Sequence, residues 1–377
     1  MALWVDKYRP RSLPELDLHP EVNTILGNIA QARDLPHLLL HGPPGAGKKT
    51  RVMALLRAQF GDDVMTVRME HKTVSVSDSR SVEISTVSSR HHIDLNPSDV
   101  GATYDRVIVM DTIREIAATV PLSMTSTLAS AASGSSGPPG YKVVILNEVD
   151  KLSRAAQQAL RRTMEKYVST CRLILVCNSS SRVIAPLRSR CLSLRIPAVT
   201  NAGVEQVLRA TLAKEGVADV HPAFIASLVT RADGNLRRAL LMAEAAKMQR
   251  CNFAAGDGSD IPVPEWQLAV REVATESLQE QTPKRLHDVR LRLYDLLAQC
   301  IPPDTIFHML VDLLVPQMAP SSRIAVLGYA AQFSHCMSQG SKPIMHLEAF
   351  IAHVMLLRRA EALQTTTMGT PPTVIVL

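Results

Sequence analysis

The sequence predicts an α/β fold, a parallel sheet flanked by helices, followed by two all-helical units. Three observations carry this. Short apolar runs alternate with helical patterns between residues 36 and 196, which is how a parallel sheet with crossover helices reads. A glycine-rich turn joins the first of those runs to a helix. Beyond Pro197 the remaining periodicity is helical.

Four strands are expected, at residues 37–41, 143–146, 173–177 and 192–196, with a helix over 50–60 after the first. Residues 121–140 carry no charge and are dominated by Ser, Thr, Ala, Gly and Pro, the composition of a flexible surface insertion. After Pro197, helices are expected over 202–215, 222–231 and 235–248, then a Gly/Asp/Pro-rich linker over 252–264. In 284–300, Leu286, Val289, Leu293, Leu296 and Leu297 recur at helical spacing, the pattern of core packing rather than of a cofactor box. The expected division is a sheet domain over 1–196, a small helical domain over 197–258 and a C-terminal helical domain over 259–377.

Composition bounds the function. A chain of 377 residues with 46% hydrophobic content suits two or three cores and excludes disorder over most of its length. The formal charge of +6 favours a polyanionic partner only mildly. Aromatic residues at 4% argue against a base-stacking platform, so a nucleic-acid partner would be met at its backbone. The six cysteines form no CxxC pair and read as buried small hydrophobes of a reducing compartment. The N-terminal stretch lacks the apolar run of a signal peptide and no segment reaches membrane-spanning length, so the cytosol or nucleus is expected and no membrane.

Gly42, Pro43, Pro44, Gly45, Ala46, Gly47 and Lys48 match most of the phosphate-binding pattern G-x-x-x-x-G-K-[ST], in the strand–loop–helix context that gives it meaning. Glycines let backbone N–H groups curl around a phosphate, the helix N-terminus adds its positive end, and Lys48 reaches the outer phosphates. Nucleotide binding is therefore expected. Hydrolysis is not. The next position normally supplies a hydroxyl to Mg²⁺, and here it is Lys49. Thr50 follows one step later, about 100° further around the helix. The acidic strand element ends Asn147-Glu148 where Asp-Glu is usual: the metal-binding Asp is gone, and Glu148 stays at the position that polarises water. Both protein contacts to the metal are thus replaced, about a hundred residues apart. The expected site binds ATP or ADP, handles Mg²⁺ poorly, and uses Lys48 and Lys49 to neutralise phosphate.

Further motifs resemble the small subunits of replication factor C, the AAA+ clamp-loader family. They are the opening Trp4-Val5-Asp6-Lys7-Tyr8-Arg9-Pro10, the helix Leu160-Arg161-Arg162-Thr163-Met164-Glu165, Ser189-Arg190-Cys191, Cys177-Asn178, and Gly234-Asn235-Leu236-Arg237-Arg238-Ala239. The similarity runs from residue 2 to about 363, with 121–140 and 365–377 as departures, and the Gly-Lys-Lys-Thr variant is similar to one branch of that family. The resemblance implies an AAA+ domain, a helical lid and a helical collar for oligomerisation. It implies a hetero-pentamer that uses ATP to load a ring-shaped sliding clamp onto primer–template DNA in replication and repair, in the nucleus. Val5 would pack the adenine, Asn178 would lie near the γ-phosphate, and Arg237 would report that phosphate to the lid. Arg190 would be a finger given in trans to the neighbouring subunit's ATP site, where a planar guanidinium fork stabilises the transferring phosphoryl group. Arg154 and Arg182 would track the DNA backbone, a contact without sequence information. By itself, each of these two is also an ordinary solvated charge. Residues 107–120 resemble the helix that faces the clamp, with Val109, Met110 and Ile113 as contacts; core packing explains the same three residues.

Two other readings bear on the same residues. A fully active ATPase or remodeller is favoured by Glu148, Asn178 and Arg237 and opposed by Lys49 and Asn147. A small-molecule P-loop kinase leaves Ser189–Cys191 and the long helical C-terminal region unexplained.

Overall fold

Alternate residues along the central strands feed two different cores. Leu38 and Leu40 of β1 (Leu38–His41), with Val143 and Ile145 of β5 (Lys142–Leu146), pack with Leu26, Val52 and Leu55 on one side of the sheet. Leu39, Val144 and Leu146 pack with Val109, Ile113 and Leu160 on the other. A strand buried on both faces reads as an unbroken apolar run, which is why these strands were legible as sequence. The computed structural model describes residues 2–32, 34–77, 80–97, 104–118, 141–168, 170–217, 220–249, 261–340 and 342–368. The insertion expected at 121–140 and most of the linker expected at 252–264 lie outside them.

The remaining strands are β2 (Arg68–Ser77), β3 (Arg80–Ser88), β4 (His92–Leu95), β6 (Cys171–Cys177) and β7 (Leu192–Arg195). The seven-stranded order is β2-β3-β4-β5-β6-β1-β7. From β4 to β7 all neighbours are parallel; β2, β3 and β4 pair antiparallel, so the sheet is mixed. The four strands expected from sequence are β1, β5, β6 and β7; β2, β3 and β4 were not anticipated. On one face lie α2 (Pro20–Ala32) and α3 (Lys48–Phe60), and on the other α4 (Asp105–Ala118) and α5 (Arg154–Lys166). Val109 and Ile113 are fully buried in the second core and Met110 is half-buried, so the reading of Val109 and Ile113 as surface contacts to a clamp is corrected: α4 spends them on the sheet.

Chain contacts divide the protein into Met1–Ile261 and Pro262–Leu377. The first unit holds the sheet and a second core, in which α7 (Asn201–Lys214), α8 (Pro222–Ala232) and α9 (Leu236–Met248) pack around Phe224, Leu208 and Leu228. Thr200, His221 and Asn235 cap these three helices, satisfying first-turn N–H groups that the helix itself cannot. Trp4 of the short α1 (Trp4–Lys7) is buried in this core, and its backbone N–H donates to Glu244 Oε2 at 3.1 Å.

Glu215 fastens the same segment. Its carboxylate accepts from Lys247 Nζ at 2.8 Å, Lys7 Nζ at 2.6 Å and the Tyr8 hydroxyl at 2.5 Å. Lys247 first, then Lys7 and Tyr8, pull the Glu215 carboxyl down to about 2. A depressed carboxyl contributes stability above its unfolded value near 4.5, lost as pH falls towards 2. Glu215→Ala is expected to loosen residues 4–9 while sparing the sheet. Limited trypsin digestion at neutral pH should then cut after Lys7 faster than in the parent, and equal rates would contradict the tether.

The second unit is helical throughout its described residues: α10 (Glu265–Gln279), α11 (Pro283–Ala298), α12 (Pro303–Leu314), α13 (Pro320–Gln339) and α14 (Pro343–Met368). Val289, Leu293 and Leu296 of α11 are buried in its core with Phe307 and Phe350, and Leu286 and Leu297 pack at the margin. The apolar stripe is core. Among the described cysteines, Cys171 and Cys177 are buried, Cys191 and Cys336 are half-buried, and Cys300 is exposed, so the expectation that all are buried holds for two. No helix among the described residues is long and apolar enough to cross a membrane.

Candidate nucleotide site

The C-terminal ends of the parallel strands gather the site, as an open α/β sheet dictates. β1 runs into the loop 42–47, β5 into Asn147 and Glu148, β6 into Asn178, and β4 ends beside β5 with Asp94 opposite Ile145. The strand order places β6 between the loop strand and the acidic strand.

Two glycines are required sterically. A Cβ on Gly42 would lie 1.9 Å from the Ile196 carbonyl oxygen, just after β7. Gly45 has φ +77°, and a Cβ there would meet Asn235 Oδ1 at 1.8 Å. Asn235 caps α9 through Arg238 N–H at 3.1 Å, so the loop and the helical subdomain touch at that residue. Gly47 begins α3, whose first residue is Lys48. Lys48 Nζ donates to the Gly42 carbonyl at 2.6 Å, the Pro43 carbonyl at 2.9 Å and Asn178 Oδ1 at 2.9 Å. Burial lowers this ammonium below the usual lysine range; Cys177 and Asp150 oppose the shift, and the Arg237 charge adds to it. Arg51, almost wholly buried, braces the loop: its Nη1 donates to the Ala46 carbonyl at 2.9 Å, its Nη2 to Leu18 at 2.7 Å and its Nε to Asn23 at 3.2 Å.

The two departures from a metal site converge. Lys49 Nζ pairs with Asp94 Oδ2, and Asn147 Nδ2 donates to Asp94 Oδ1 at 2.6 Å. Asp94 retains 8% side-chain exposure against 42% for Lys49. Alternation along β4 sends Ile93 and Leu95 into the core under α4 and α5, so Asp94 belongs to the other face. Thr50 Oγ1 accepts from Arg9 Nε at 3.1 Å and is thereby committed to the N-terminal segment. These donors do not fit Mg²⁺, which asks for carboxylates, hydroxyls and water. Lys49 already neutralises the Asp94 carboxylate, so the corner offers a divalent ion no net attraction. Among the described residues no group of three His, Cys, Asp or Glu could hold a metal.

Glu148 sits at φ +52° in the left-handed region and pairs with Lys151 at 2.7 Å. Val5 is half-buried and packs against the core of α7–α9. Arg237 is exposed in the first turn of α9, and its charge reaches both Lys48 and Arg9. Arg190 lies elsewhere, after α6 (Ala185–Arg188): Nε and Nη2 engage Glu165 Oε1 at 2.7 and 2.6 Å, and Nη1 donates to the Pro186 carbonyl at 2.8 Å. Arg154 and Arg182 are exposed. Buried Gln157 joins their segments, donating to the Arg182 carbonyl at 3.3 Å and to Leu152 at 3.2 Å.

Sequence reasoning missed Asp94, Arg51 and Arg9. Asp94 gave no local signal: alternation with Ile93 and Leu95 puts it on the other face of β4, and only the neighbouring strand and Lys49 bury it.

His92, on the same strand face as Asp94, is 1% exposed, and burial pushes its imidazole down to about 4. The unfolded ring takes its proton near 6.5, so stability present above that pH is lost as pH falls from 6.5 to 4. The expected loss is about 2 kcal/mol at pH 5 and about 3 at pH 4, at 1.36 kcal/mol per pH unit. Urea unfolding at pH 7 and pH 5 measures it; a His92→Gln variant should lack this increment, and an identical pH dependence would contradict the assignment.

A P-loop opening a helix, a strand inserted between that loop and the acidic strand, and a capped three-helix subdomain touching the loop define an AAA+ domain. Comparison with known proteins agrees. The family described as "Replication factor C subunit 3, C-terminal domain" matches residues 266–362, and "DNA polymerase III, delta subunit" matches residues 18–200. Replication factor C subunit 3 of Bos taurus is 45% identical over 357 residues, covering 95% of this chain and 96% of that one. Replication factor C subunit 5 of Oryza sativa subsp. japonica is 42% identical, covering 94% and 96%. The RuvB Holliday junction branch migration motor of Thermotoga maritima is a distant structural match, with TM-score 0.46, 16% identity and coverage of 77% and 87%. The chain belongs to the replication factor C subunits.

Proposed function

We propose that the chain is a clamp-loader subunit that binds ATP or ADP in the loop 42–50, holds it rather than hydrolysing it, and gives Arg190 to the neighbouring subunit's site. One observation carries the holding role: Lys49 and Asn147, which replace the two metal contacts, are both committed to Asp94. The phosphate-binding parts remain. Lys48 is preset by Gly42, Pro43 and Asn178, and Arg237 is free in the described contacts to meet a phosphate. Val5 would close the adenine end, and Glu148, tied to Lys151, would be a remnant. The same reading gives three domains, an AAA+ domain over 1–196, a lid over 197–258 and an oligomerisation collar over 259–377. The partners would be the other subunits of a hetero-pentamer, a ring-shaped sliding clamp, and primer–template DNA met through its backbone by Arg154 and Arg182. The place would be the nucleus, in replication and repair. The test is equilibrium binding of ATP and ADP to the purified full chain, followed by measurement of turnover. Binding with little turnover is expected, and Mg²⁺-dependent hydrolysis at the rate of active family subunits would favour a fully active ATPase instead.

A further inference from the structure

We infer that this site takes its nucleotide without a divalent cation, the Lys49 ammonium anchored on Asp94 serving as the built-in counter-ion. The inference rests on the nucleotide-binding reading and goes beyond it in naming the anchor and the metal-free mode.

Sign and complementarity make the case. An aspartate at 147 would place a second carboxylate beside Asp94, and such a pair calls for a cation. Asn147 instead presents an amide that donates to Asp94 Oδ1 at 2.6 Å, and Lys49 supplies the positive charge at Oδ2. Two independent losses of metal ligands carry no reason to become donors to one and the same acid. A replaced cation does: both changes set a side-chain ammonium and an amide against Asp94 where a metal ion would sit. The corner is also built rather than loose, since Asp94 is nearly buried at the end of a paired strand and its neighbour Asn147 is fixed by an N–H donated to the Leu95 carbonyl at 3.0 Å. Lys49 keeps 42% exposure, so its ammonium remains within reach of an arriving anion. Thr50, the nearby hydroxyl, is taken by Arg9. Arg9 and Arg237 add two fixed cations whose charges register on each other, with Lys48 a third. The ligand class this suits is the diphosphate or triphosphate end of a nucleotide carrying its own unshielded charge, because side chains here supply what Mg²⁺ supplies elsewhere.

The experiment titrates the purified full chain with a fluorescent ADP analogue in buffer with Mg²⁺ and in buffer with EDTA. The parent is expected to bind with dissociation constants within roughly threefold of each other, well under the tenfold that 1.4 kcal/mol represents. Lys49→Arg should keep this indifference. Lys49→Thr should weaken binding in EDTA by about tenfold or more, since one charge-assisted contact to phosphate is lost. Lys49→Thr with Asn147→Asp restores the ordinary donor set and should bind about tenfold more tightly with Mg²⁺ than with EDTA. Thermal melts check that each variant folds; if the double variant does not, Lys49→Thr decides alone. A parent that loses about tenfold or more in EDTA, or a Lys49→Thr variant unaffected there, overturns the inference while leaving nucleotide binding standing. Absence of binding in both buffers overturns both.

Discussion

Arg190→Ala is expected to leave nucleotide binding by this chain unchanged and to lower DNA-stimulated ATP hydrolysis by the assembled complex. The residue lies on the segment after α6, separate from the loop 42–50 and its partners, so its charge is not part of this chain's own pocket. A finger supplied in trans is worth roughly 10³–10⁵ in rate at the one site it serves. The complex as a whole should lose less, because its other sites keep their fingers. If Arg190 is that finger, its ion-pair partner would position it. Glu165, on α5, takes two donors of the guanidinium on one oxygen, which leaves the fork aimed by a carboxylate that can release it. Arg190→Lys should rescue poorly, because a point charge lacks the planar fork. Glu165→Gln should produce a smaller loss than Arg190→Ala. ATPase and clamp-loading assays on complexes of confirmed stoichiometry decide the matter. An alanine complex that assembles and hydrolyses ATP like the parent returns Arg190 to an ordinary surface ion pair with Glu165.

Gly45→Val is expected to abolish measurable nucleotide binding and to destabilise the first unit. Its φ of +77° costs a residue with a Cβ about 1–2 kcal/mol, and more for a β-branched one. The new Cβ would sit 1.8 Å from Asn235 Oδ1, so the cap of α9 must move, at about 1 kcal/mol. A total of about 2–4 kcal/mol corresponds to a fall in Tm of roughly 5–15 °C for a unit of this size. Binding should be lost even where the fold survives, because the loop can no longer close against the helical subdomain. Thermal unfolding with and without ADP measures both effects. A variant that melts like the parent and is stabilised equally by ADP would show that the contact with Asn235 is dispensable.

What could be read in advance followed from how completely each segment is buried. β1, β5 and β6 are apolar on both faces and stood out as uninterrupted runs. β2 and β3 form an antiparallel extension at the end of the sheet, with Met69 and Glu70 exposed and polar residues throughout, and alternating polar sequence at an edge resembles a loop. β4 is four residues long and carries a histidine and an aspartate, which hid it although both side chains are buried. The loop 42–48 was legible because its chemistry demands particular residues in consecutive order. The Lys49–Asp94–Asn147 constellation was legible only at its two ends. Its centre is a residue whose role exists through sheet register, β4 beside β5, and no spacing along the chain reports that. α4 shows the converse case: Val109 and Ile113 carried a surface reading from resemblance, and packing on the sheet had the stronger claim.

If this site holds nucleotide without hydrolysing it, as proposed, Glu148→Gln in the assembled complex should change nothing. Glu148 stands at the position that would polarise water, and the substitution keeps its shape while removing its basicity. DNA-stimulated ATP hydrolysis and clamp loading are expected to equal those of the parent complex. A fall in hydrolysis by the share of one active site would contradict it, showing that this site turns over ATP despite Lys49 and Asn147.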